Sequence, residues 1–240
     1  MLTNDSEIAR RNMVLQQIRP WDVFDERVLN VIQEVPREKF VPEAYLGLAF
    51  ADIEVPLGHD QVMMAPRVEA RMLQSLDVQP QHSVLEIGTG SGFIAACLAR
   101  LGNRVTSIDL YQDFIDDATD RIEAIGLANK TDLRTADAFS ESFADQRFDR
   151  IAVTGALLDY DRRFEQLLSR DGKLFVVSRD GATLVLEHGD DYSPVAVNRL
   201  EDRFSASPVL VGDSIYLRGE RSLYRISSPG EVAAVDSDRD

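Results

Sequence analysis

One stretch of the sequence combines residue types and spacing that could bind a polar ligand. Gly88, Gly90 and Gly92 occupy alternate positions directly after the mostly apolar segment 84–87. Glycine allows a positive φ and lets the backbone approach a ligand closely, and the start of a helix presents amide groups without intrahelical partners. The expected chemistry is therefore the capture of a ligand by backbone groups at the carboxyl end of a buried strand.

Three acidic residues have the positions expected of partners for this glycine turn. Glu86 precedes it, and Asp109 lies 21 residues after Gly88, directly after the predicted strand 104–108. A carboxylate at that place can accept hydrogen bonds from both hydroxyl groups of a ribose. Asp137 follows the next predicted strand. The sequence thus predicts that carboxylates and glycine turn converge on one ligand; the plainer alternative is a glycine turn with unrelated surface acids in a generic α/β protein.

The order of the glycines separates two classes of cofactor. Dinucleotide-binding enzymes use G-x-G-x-x-G, and counting from Gly88 the third glycine position is occupied by Phe93. The observed order, acidic-x-Gly-x-Gly-x-Gly, resembles instead the first motif of class I methyltransferases. That resemblance implies S-adenosyl-L-methionine as the cofactor and S-adenosyl-L-homocysteine as the product, with Asp137 contacting the adenine amine. The predicted cofactor-binding residues are Glu86, Gly88, Thr89, Gly90, Ser91, Gly92, Asp109, Leu110, Asp137 and Ala138.

The elements that must position these residues alternate between strands and helices over residues 82–178. Strands are predicted at 83–87, 104–108, 131–134, 148–153 and 172–177. Helical patterns predict helices at 91–101, through Phe114, Ala118 and Ile122, and through Phe164, Leu167 and Leu168. Strands joined by helical crossovers favour a parallel sheet that is covered on both faces. The predicted fold class is α/β, a doubly wound Rossmann-like methyltransferase fold.

The first 80 residues predict a helical extension on the substrate side of this core. Asp25 can cap a helix that ends before Pro36, because the residue before a proline avoids the α region. A second amphipathic helix is predicted after Pro66. Its apolar face consists of Val68, Met72, Leu73 and Leu76.

The chain after residue 178 changes character. Asp180-Gly181 is a hairpin signal, and it predicts an antiparallel C-terminal edge on a mostly parallel seven-stranded sheet. Short strands are predicted at 195–200 and 215–217. We therefore predict a single domain over 1–226, with a cofactor-binding core at 81–178 and edge strands at 179–226. The composition of residues 227–240 predicts a disordered tail.

The amino-acid composition limits the kinds of binding partner and site that we expect for this protein. Asp and Glu total 41 and Lys and Arg total 26, for a net charge of −15, and such a surface repels nucleic-acid phosphates and anionic lipid. Cys97 is the single cysteine, which excludes an intrachain disulfide and a cysteine zinc site; no metal site is predicted. The sequence shows neither an 18-residue apolar run nor a signal peptide. We expect a cytoplasmic protein, favour a monomer, and expect no nucleic acid or membrane as partner.

Five further segments of the sequence indicate a particular family among the methyltransferases. They are 13–18, 25–29, 35–42 (Val-Pro-Arg-Glu-Lys-Phe-Val-Pro), 56–59 and 148–154. Together with the glycine turn they resemble the protein-L-isoaspartate (D-aspartate) O-methyltransferase family over about residues 10–178. The resemblance implies methyl transfer to a carboxylate of an isoaspartyl residue in damaged protein or peptide. An ordinary carboxyl group has a pKa of about 4 and is ionised at neutral pH, so the transfer requires no general base.

One segment departs from the family pattern. The family's Gln-Thr-Ile-Ser reads Gln61-Val62-Met63-Met64 here, so Val62 replaces the threonine and Met64 replaces the active-site serine. Neither side chain can donate a hydrogen bond, and no catalytic residue is assigned. His59, just before this segment, either lines the substrate cleft or is an ordinary loop histidine.

Three functions are compatible with these observations. The first is methylation of isoaspartyl protein, as the resemblance implies. The second is methylation of a different acceptor on the same scaffold, suggested by Val62 and Met64. The third is a non-catalytic protein that binds S-adenosylmethionine without turnover.

Overall fold

Helices and strands alternate through the residues that the computed structural model describes, which are 2–140, 143, 146–155, 163–177, 183–188, 192–198, 209–211, 214–218 and 223–227. The helices are α1 (Leu2–Met13), α2 (Glu26–Glu34), α3 (Pro66–Leu76), α4 (Phe93–Leu101), α5 (Gln112–Glu123) and α6 (Arg163–Gln166). The first six strands are β1 (Val55–Gly58), β2 (Gln61–Met63), β3 (Ser83–Ile87), β4 (Arg104–Asp109), β5 (Thr131–Thr135) and β6 (Phe148–Val153). The others are β7 (Leu168–Val177), β8 (Thr183–His188), β9 (Tyr192–Asn198), β10 (Val209–Val211), β11 (Ser214–Arg218) and β12 (Leu223–Ser227).

Seven strands form the sheet that carries the candidate site, in the order β5-β4-β3-β6-β7-β8-β9. The first five strands in this order, β5, β4, β3, β6 and β7, pair in parallel. Strands β8 and β9 add an antiparallel edge. The predicted fold class is confirmed: a mostly parallel seven-stranded sheet with an antiparallel C-terminal edge.

Apolar side chains cover both faces of this sheet. Successive residues of a strand point to opposite faces, and on β3 Val84 belongs to one apolar cluster whereas Leu85 belongs to another. On β6, Ala152 belongs to the first cluster and Ile151 to the second. The first cluster contains residues of α2, α3 and α4, and the second contains Phe164 of α6. Two cores, one on each face, give the doubly wound arrangement.

Local signals fix the ends of two helices of the N-terminal region. The side chain of Asp25 accepts a hydrogen bond of 2.8 Å from the Arg27 amide and caps α2, and Val35 is extended before Pro36. Helix α3 begins at Pro66 as predicted.

The predicted apolar face of α3 is correct for Met72, Leu73 and Leu76, which are buried. It is wrong for Val68, which is 37% exposed. Glu69 occupies the buried position next to it, because Arg37 pairs with its carboxylate inside the protein.

Two predicted helix boundaries in the core were wrong, and β7 begins before its predicted start at residue 172. The predicted helix through Leu168 stops at Gln166, and Leu168 begins β7, since it pairs with Phe148 of β6 and the Phe148 amide donates to the Leu167 carbonyl over 2.8 Å. Sheet pairing thus overrides the helical pattern. Helix α4 begins at Phe93 rather than at residue 91, because Gly92 has a left-handed φ of 83°.

The last described strands, β10 to β12, form a separate three-stranded antiparallel sheet. Strands β9 and β11 contain most of the predicted short strands at 195–200 and 215–217. The predicted Asp180-Gly181 turn and the predicted tail beyond Ser227 lie outside the described residues. The division of the chain at 80, 178 and 226 stays a prediction. Across the described ranges, no helix is long and apolar enough to cross a membrane.

Candidate cofactor and active site

A cavity of about 630 Å³ opens at the carboxyl ends of the parallel strands. Its volume lies in the range of about 300–1,000 Å³ that is typical of small-molecule sites. Four strand ends contribute to it, as does the β1–β2 hairpin (Val55–Met63) through Leu57, Gln61 and Val62. The strand-end residues used below are Gly88, Gly90, Asp109, Leu110, Tyr111, Asp137, Ala138, Phe139, Thr154 and Gly155.

The glycine turn is held tightly by contacts with neighbouring backbone. Gly88, Gly90 and Gly92 have φ values of 103°, 50° and 83°. A Cβ atom on Gly88 would lie 2.3 Å from the Gly155 nitrogen, and one on Gly92 would lie 2.7 Å from the Cβ of Ala118. The first glycine therefore lets the tips of β3 and β6 meet, and the third lets α4 pack against α5.

The amide groups of the turn are used within the protein. Those of Gly88 and Thr89 donate to the Ile108 carbonyl over 2.8 and 3.2 Å, and that of Gly92 donates to the Thr89 carbonyl over 2.9 Å. The Gly90 amide donates to Asp109 Oδ2 over 2.8 Å. These four amides thus have acceptors within the turn and on β4, and the binding of the ligand by the turn stays a prediction.

Asp109 and Asp137 adopt the same local conformation at the tips of β4 and β5. Asp109 Oδ1 accepts from the Tyr111 amide over 3.1 Å, and Asp137 Oδ1 accepts from the Phe139 amide over 2.9 Å. Each acid thus orients its own carboxylate and places an aromatic residue two positions later at the cavity. A carboxylate oxygen has two lone pairs, so both groups keep acceptor capacity for a ligand.

Six of the ten predicted cofactor-binding residues line the cavity: Gly88, Gly90, Asp109, Leu110, Asp137 and Ala138. Glu86, Thr89, Ser91 and Gly92 are not among its lining residues. Ser91 instead packs at the start of α4, where its hydroxyl accepts from the Phe93 amide over 3.3 Å. The structure therefore brings the two predicted strand-end acids together and places Glu86 beneath the turn.

Glu86 forms a fully buried polar chain under the glycine turn. Ser107 Oγ donates to Glu86 Oε2 over 2.6 Å and lies 2.6 Å from Thr89 Oγ1. Within the described residues, Glu86 Oε1 has no hydrogen-bond partner. Burial, with a smaller contribution from the Asp109 charge, raises the pKa of Glu86 to about 8, although the Ser107 hydrogen bond opposes the shift.

This burial predicts a pH dependence of stability. Folded protein keeps the Glu86 proton up to about pH 8, whereas the unfolded chain releases it near its ordinary pKa of 4.5. Unfolding between these values releases a proton, so stability falls as pH rises. Glu86→Gln mimics the protonated acid and removes this dependence. Relative to the variant, we expect the wild type to lose roughly 2–3 kcal/mol of unfolding free energy between about pH 5.5 and pH 7.5.

Urea unfolding at several pH values measures the difference. Glu69, whose pKa burial raises to about 7 against the effect of Arg37, and His82, whose pKa burial lowers, are common to both proteins. Their contributions cancel in the comparison. Parallel stability curves for wild type and Glu86→Gln would contradict the prediction.

Residues 61–64, which depart from the family pattern, lie on the hairpin side of the cavity. Val62 is 44% exposed and lines the cavity, whereas Met63 is buried. Met64 is half-buried and does not line the cavity; its carbonyl accepts from Arg37 Nη2 over 2.9 Å. His59 also lies outside the lining, but its ring stacks on Tyr111, which lines the cavity.

Arg37 holds this segment from inside the protein. Its Nε donates to the Ala49 carbonyl over 3.0 Å, its Nη1 pairs with Glu69, and its guanidinium lies 5.0 Å from the centre of the Phe93 ring. The side chain is fully buried. Arg37 belongs to segment 35–42, one of the segments that resemble the family. This segment thus anchors the backbone at Met64.

Sequence reasoning missed the aromatic lining and Thr154. Tyr111, Phe114 and Phe139 line the cavity. Thr154 Oγ1 donates to the Gly88 carbonyl over 2.8 Å and ties β6 to the glycine turn. The sequence could have indicated that Tyr111 and Phe139 lie at the cavity, since each comes two residues after a predicted strand-end acid.

A comparison with known proteins decides the family. The family model described as protein-L-isoaspartate (D-aspartate) O-methyltransferase matches residues 9–188. The chain belongs to this family. Two relatives named protein-L-isoaspartate O-methyltransferase 2 support it. The one from Shewanella sediminis is 32% identical over 79% of this chain and 81% of its own length, and the one from Rhodopseudomonas palustris is 32% identical over 80% and 85%.

Solved structures of the family share the fold. A protein-L-isoaspartate O-methyltransferase from Plasmodium falciparum, in complex with S-adenosyl-L-homocysteine, superposes with a TM-score of 0.68 at 17% identity, over 80% of this chain and 96% of its own. A second protein-L-isoaspartate O-methyltransferase superposes with a TM-score of 0.66 over 90% and 84%. Membership of the family makes this chain an S-adenosylmethionine-dependent methyltransferase with a protein acceptor. These findings do not favour the other two functions, a different acceptor and a non-catalytic protein.

Proposed function

We propose that this chain methylates the carboxylate of isoaspartyl residues in proteins or peptides, and that the cavity at the strand ends holds the adenosyl part of S-adenosylmethionine. The observation that carries the proposal is the convergence of Gly88, Gly90, Asp109 and Asp137 on one cavity in a chain of this family. The sulfonium centre of the cofactor supplies an activated methyl group.

The residues at the cavity fit this cofactor. Asp109, oriented by the Gly90 and Tyr111 amides, has lone pairs left for the two ribose hydroxyl groups. Asp137 is exposed and uses one oxygen on the Phe139 amide, which leaves the other for the adenine amine. Leu110 and Phe139, which are 62% and 41% exposed at the cavity, add apolar surface for the base.

The protein's part in the reaction is alignment. An ionised acceptor carboxylate needs no base, so rate enhancement comes from holding its oxygen in line with the methyl carbon and from excluding water. The β1–β2 hairpin presents Leu57 and Val62 at the cavity, and these apolar groups suit water exclusion. Val62 donates no hydrogen bond, so the acceptor is expected to be positioned by backbone and shape on this side. The cytoplasmic location and the monomeric state stay predictions.

Methyl transfer to a defined peptide tests the proposal. The purified chain is incubated with methyl-labelled S-adenosylmethionine and a peptide containing one isoaspartyl residue. We expect base-labile label in that peptide and none in the matched peptide with ordinary aspartate. No label above a heat-inactivated control would overturn the proposal, and equal labelling of both peptides would overturn the isoaspartyl preference.

A further inference from the structure

The turn of the β1–β2 hairpin is fastened to the loop and helix that follow β4. The His59 ring stacks on the Tyr111 ring, with centroids 3.9 Å apart and planes 9° from parallel. His59 Nε2 lies 2.8 Å from Asp113 Oδ2, and Phe114 meets both rings edge-on, at 5.3 and 5.5 Å. We call these four residues the His59 latch.

The hairpin turn has an unfavourable backbone conformation in which these contacts form. His59 and Asp60 have φ values of 50° and 55°, a region that residues with a Cβ atom rarely adopt. Such a conformation persists where surrounding contacts stabilise it. For His59 the stacked ring and the hydrogen bond are two such contacts, 52 and 54 positions away along the chain.

The latch joins two walls of the cavity. Leu57, Gln61 and Val62 form the hairpin wall, and Leu57 packs on the glycine turn, with its Cδ1 3.2 Å from the Cβ position of Gly90. Tyr111, which follows β4, belongs both to the cavity lining and to the latch. Separation of His59 from Tyr111 and Asp113 would therefore free the turn end of the hairpin wall.

The latch lies at the solvent-exposed rim. The side chains of His59 and Asp113 are 39% and 64% exposed, so water competes for their contact and the contact can open. The base of the hairpin is different, since Val55 and Met63 are buried. The turn end is thus the part of the hairpin that can move while the base stays packed.

We propose that His59 is a positioning residue that fastens the hairpin wall over the methyl-donor site and thereby slows the release of S-adenosylhomocysteine. The proposal rests on the proposed function, because it takes the cavity to be the donor site. His59 acts through Tyr111 and Asp113 and does not itself line the cavity.

Release of labelled S-adenosylhomocysteine, chased with excess unlabelled ligand, is the first test. For His59→Ala we expect a dissociation rate constant about tenfold above that of the wild type, because a ring stack and a hydrogen bond are lost. His59→Phe keeps the stack and should show a smaller rise of about threefold. Asp113→Ala removes the carboxylate that contacts His59 Nε2 and should show a rise similar to that of His59→Phe. The double variant His59→Phe/Asp113→Ala should release the ligand no faster than either single variant.

His82→Ala is the matched control. His82 accepts a hydrogen bond from the Gln79 amide over 3.0 Å and lies outside the cavity lining, so its loss should leave release unchanged. Equal dissociation rate constants for wild type and His59→Ala would overturn the proposal. An additive double variant would overturn the role of the His59–Asp113 contact.

Amide hydrogen exchange of the ligand-free protein separates this proposal from the proposed function. We expect faster exchange across Val55–Met63 in His59→Ala than in the wild type, with unchanged exchange in β3 and β6. Failure of the wild type to bind S-adenosylhomocysteine would overturn the proposed function and the effect on release, whereas faster exchange across the hairpin in His59→Ala would still support the fastening of the hairpin by His59. Unchanged exchange across the hairpin would overturn the latch whether or not the ligand binds.

Discussion

Asp109→Ala is expected to weaken the binding of S-adenosylhomocysteine at least about 100-fold, because two hydrogen bonds to a charged group contribute about 1.5–3 kcal/mol each. Of Asp109 and Asp137, it is Asp109 that both lines the cavity and accepts a hydrogen bond from the glycine turn. Its loss removes the proposed ribose acceptors and also frees the Gly90 and Tyr111 amides. The effect on affinity should therefore exceed the effect on stability.

Calorimetric titration with S-adenosylhomocysteine measures the loss, and urea unfolding shows that the variant is folded. Asp117→Ala is the matched control, since this carboxylate on α5 pairs with Arg121 at 2.9 Å and does not line the cavity. Asp109→Asn keeps the shape and one carbonyl oxygen, so it should bind with intermediate affinity. Binding by Asp109→Ala within threefold of the wild type would contradict the assignment.

Gly88→Ala is expected to lower the free energy of unfolding by more than about 3 kcal/mol, because a backbone clash adds to a left-handed conformation. The new Cβ would lie 2.3 Å from the Gly155 nitrogen and 2.6 Å from its Cα. Both are backbone atoms at the tip of β6, so no side-chain rotation relieves the contact. The strands must separate where the cavity lies, and cofactor binding should be lost as well.

Gly126→Ala isolates the conformational part of this effect. Gly126 has a φ of 74° and no heavy atom within 4 Å of its Cβ position. The substitution should cost only about 1–2 kcal/mol and leave binding of S-adenosylhomocysteine unchanged. Urea unfolding of the two variants side by side provides the measurement. Equal destabilisation would show that the approach of Gly155 is not what requires glycine at position 88.

The strand-end acids were predictable because their positions depend on local patterns. Asp109 and Asp137 each follow a short apolar run, and parallel strands bring their carboxyl ends to one edge of a sheet. Local patterns gave a wrong prediction at Leu168, which was predicted to be helical but lies in β7 because it pairs with Phe148. They also failed at Val68, because the buried partner of Arg37 is the neighbouring Glu69.

The glycine turn shows the limit of motif reasoning. Its glycines were recognised, but the sequence suggested that they free the amides for a ligand. In the structure those amides bind Ile108, Thr89 and Asp109. The acceptors of three of them lie on β4, about 20 residues away in the chain, and a motif contains no information on which acceptor comes within reach.

By itself the sequence determined the fold class, the family, the glycine turn and its two acids, because these follow from short-range patterns of apolar, acidic and glycine residues. Only the tertiary structure decided that Gly155 abuts Gly88 and that His59 meets Tyr111 and Asp113. Such contacts join residues more than 50 positions apart. They depend on strand register, as where Ile87 pairs with Val153, and on the contact of the β1–β2 hairpin with the loop and helix after β4. No local periodicity specifies either.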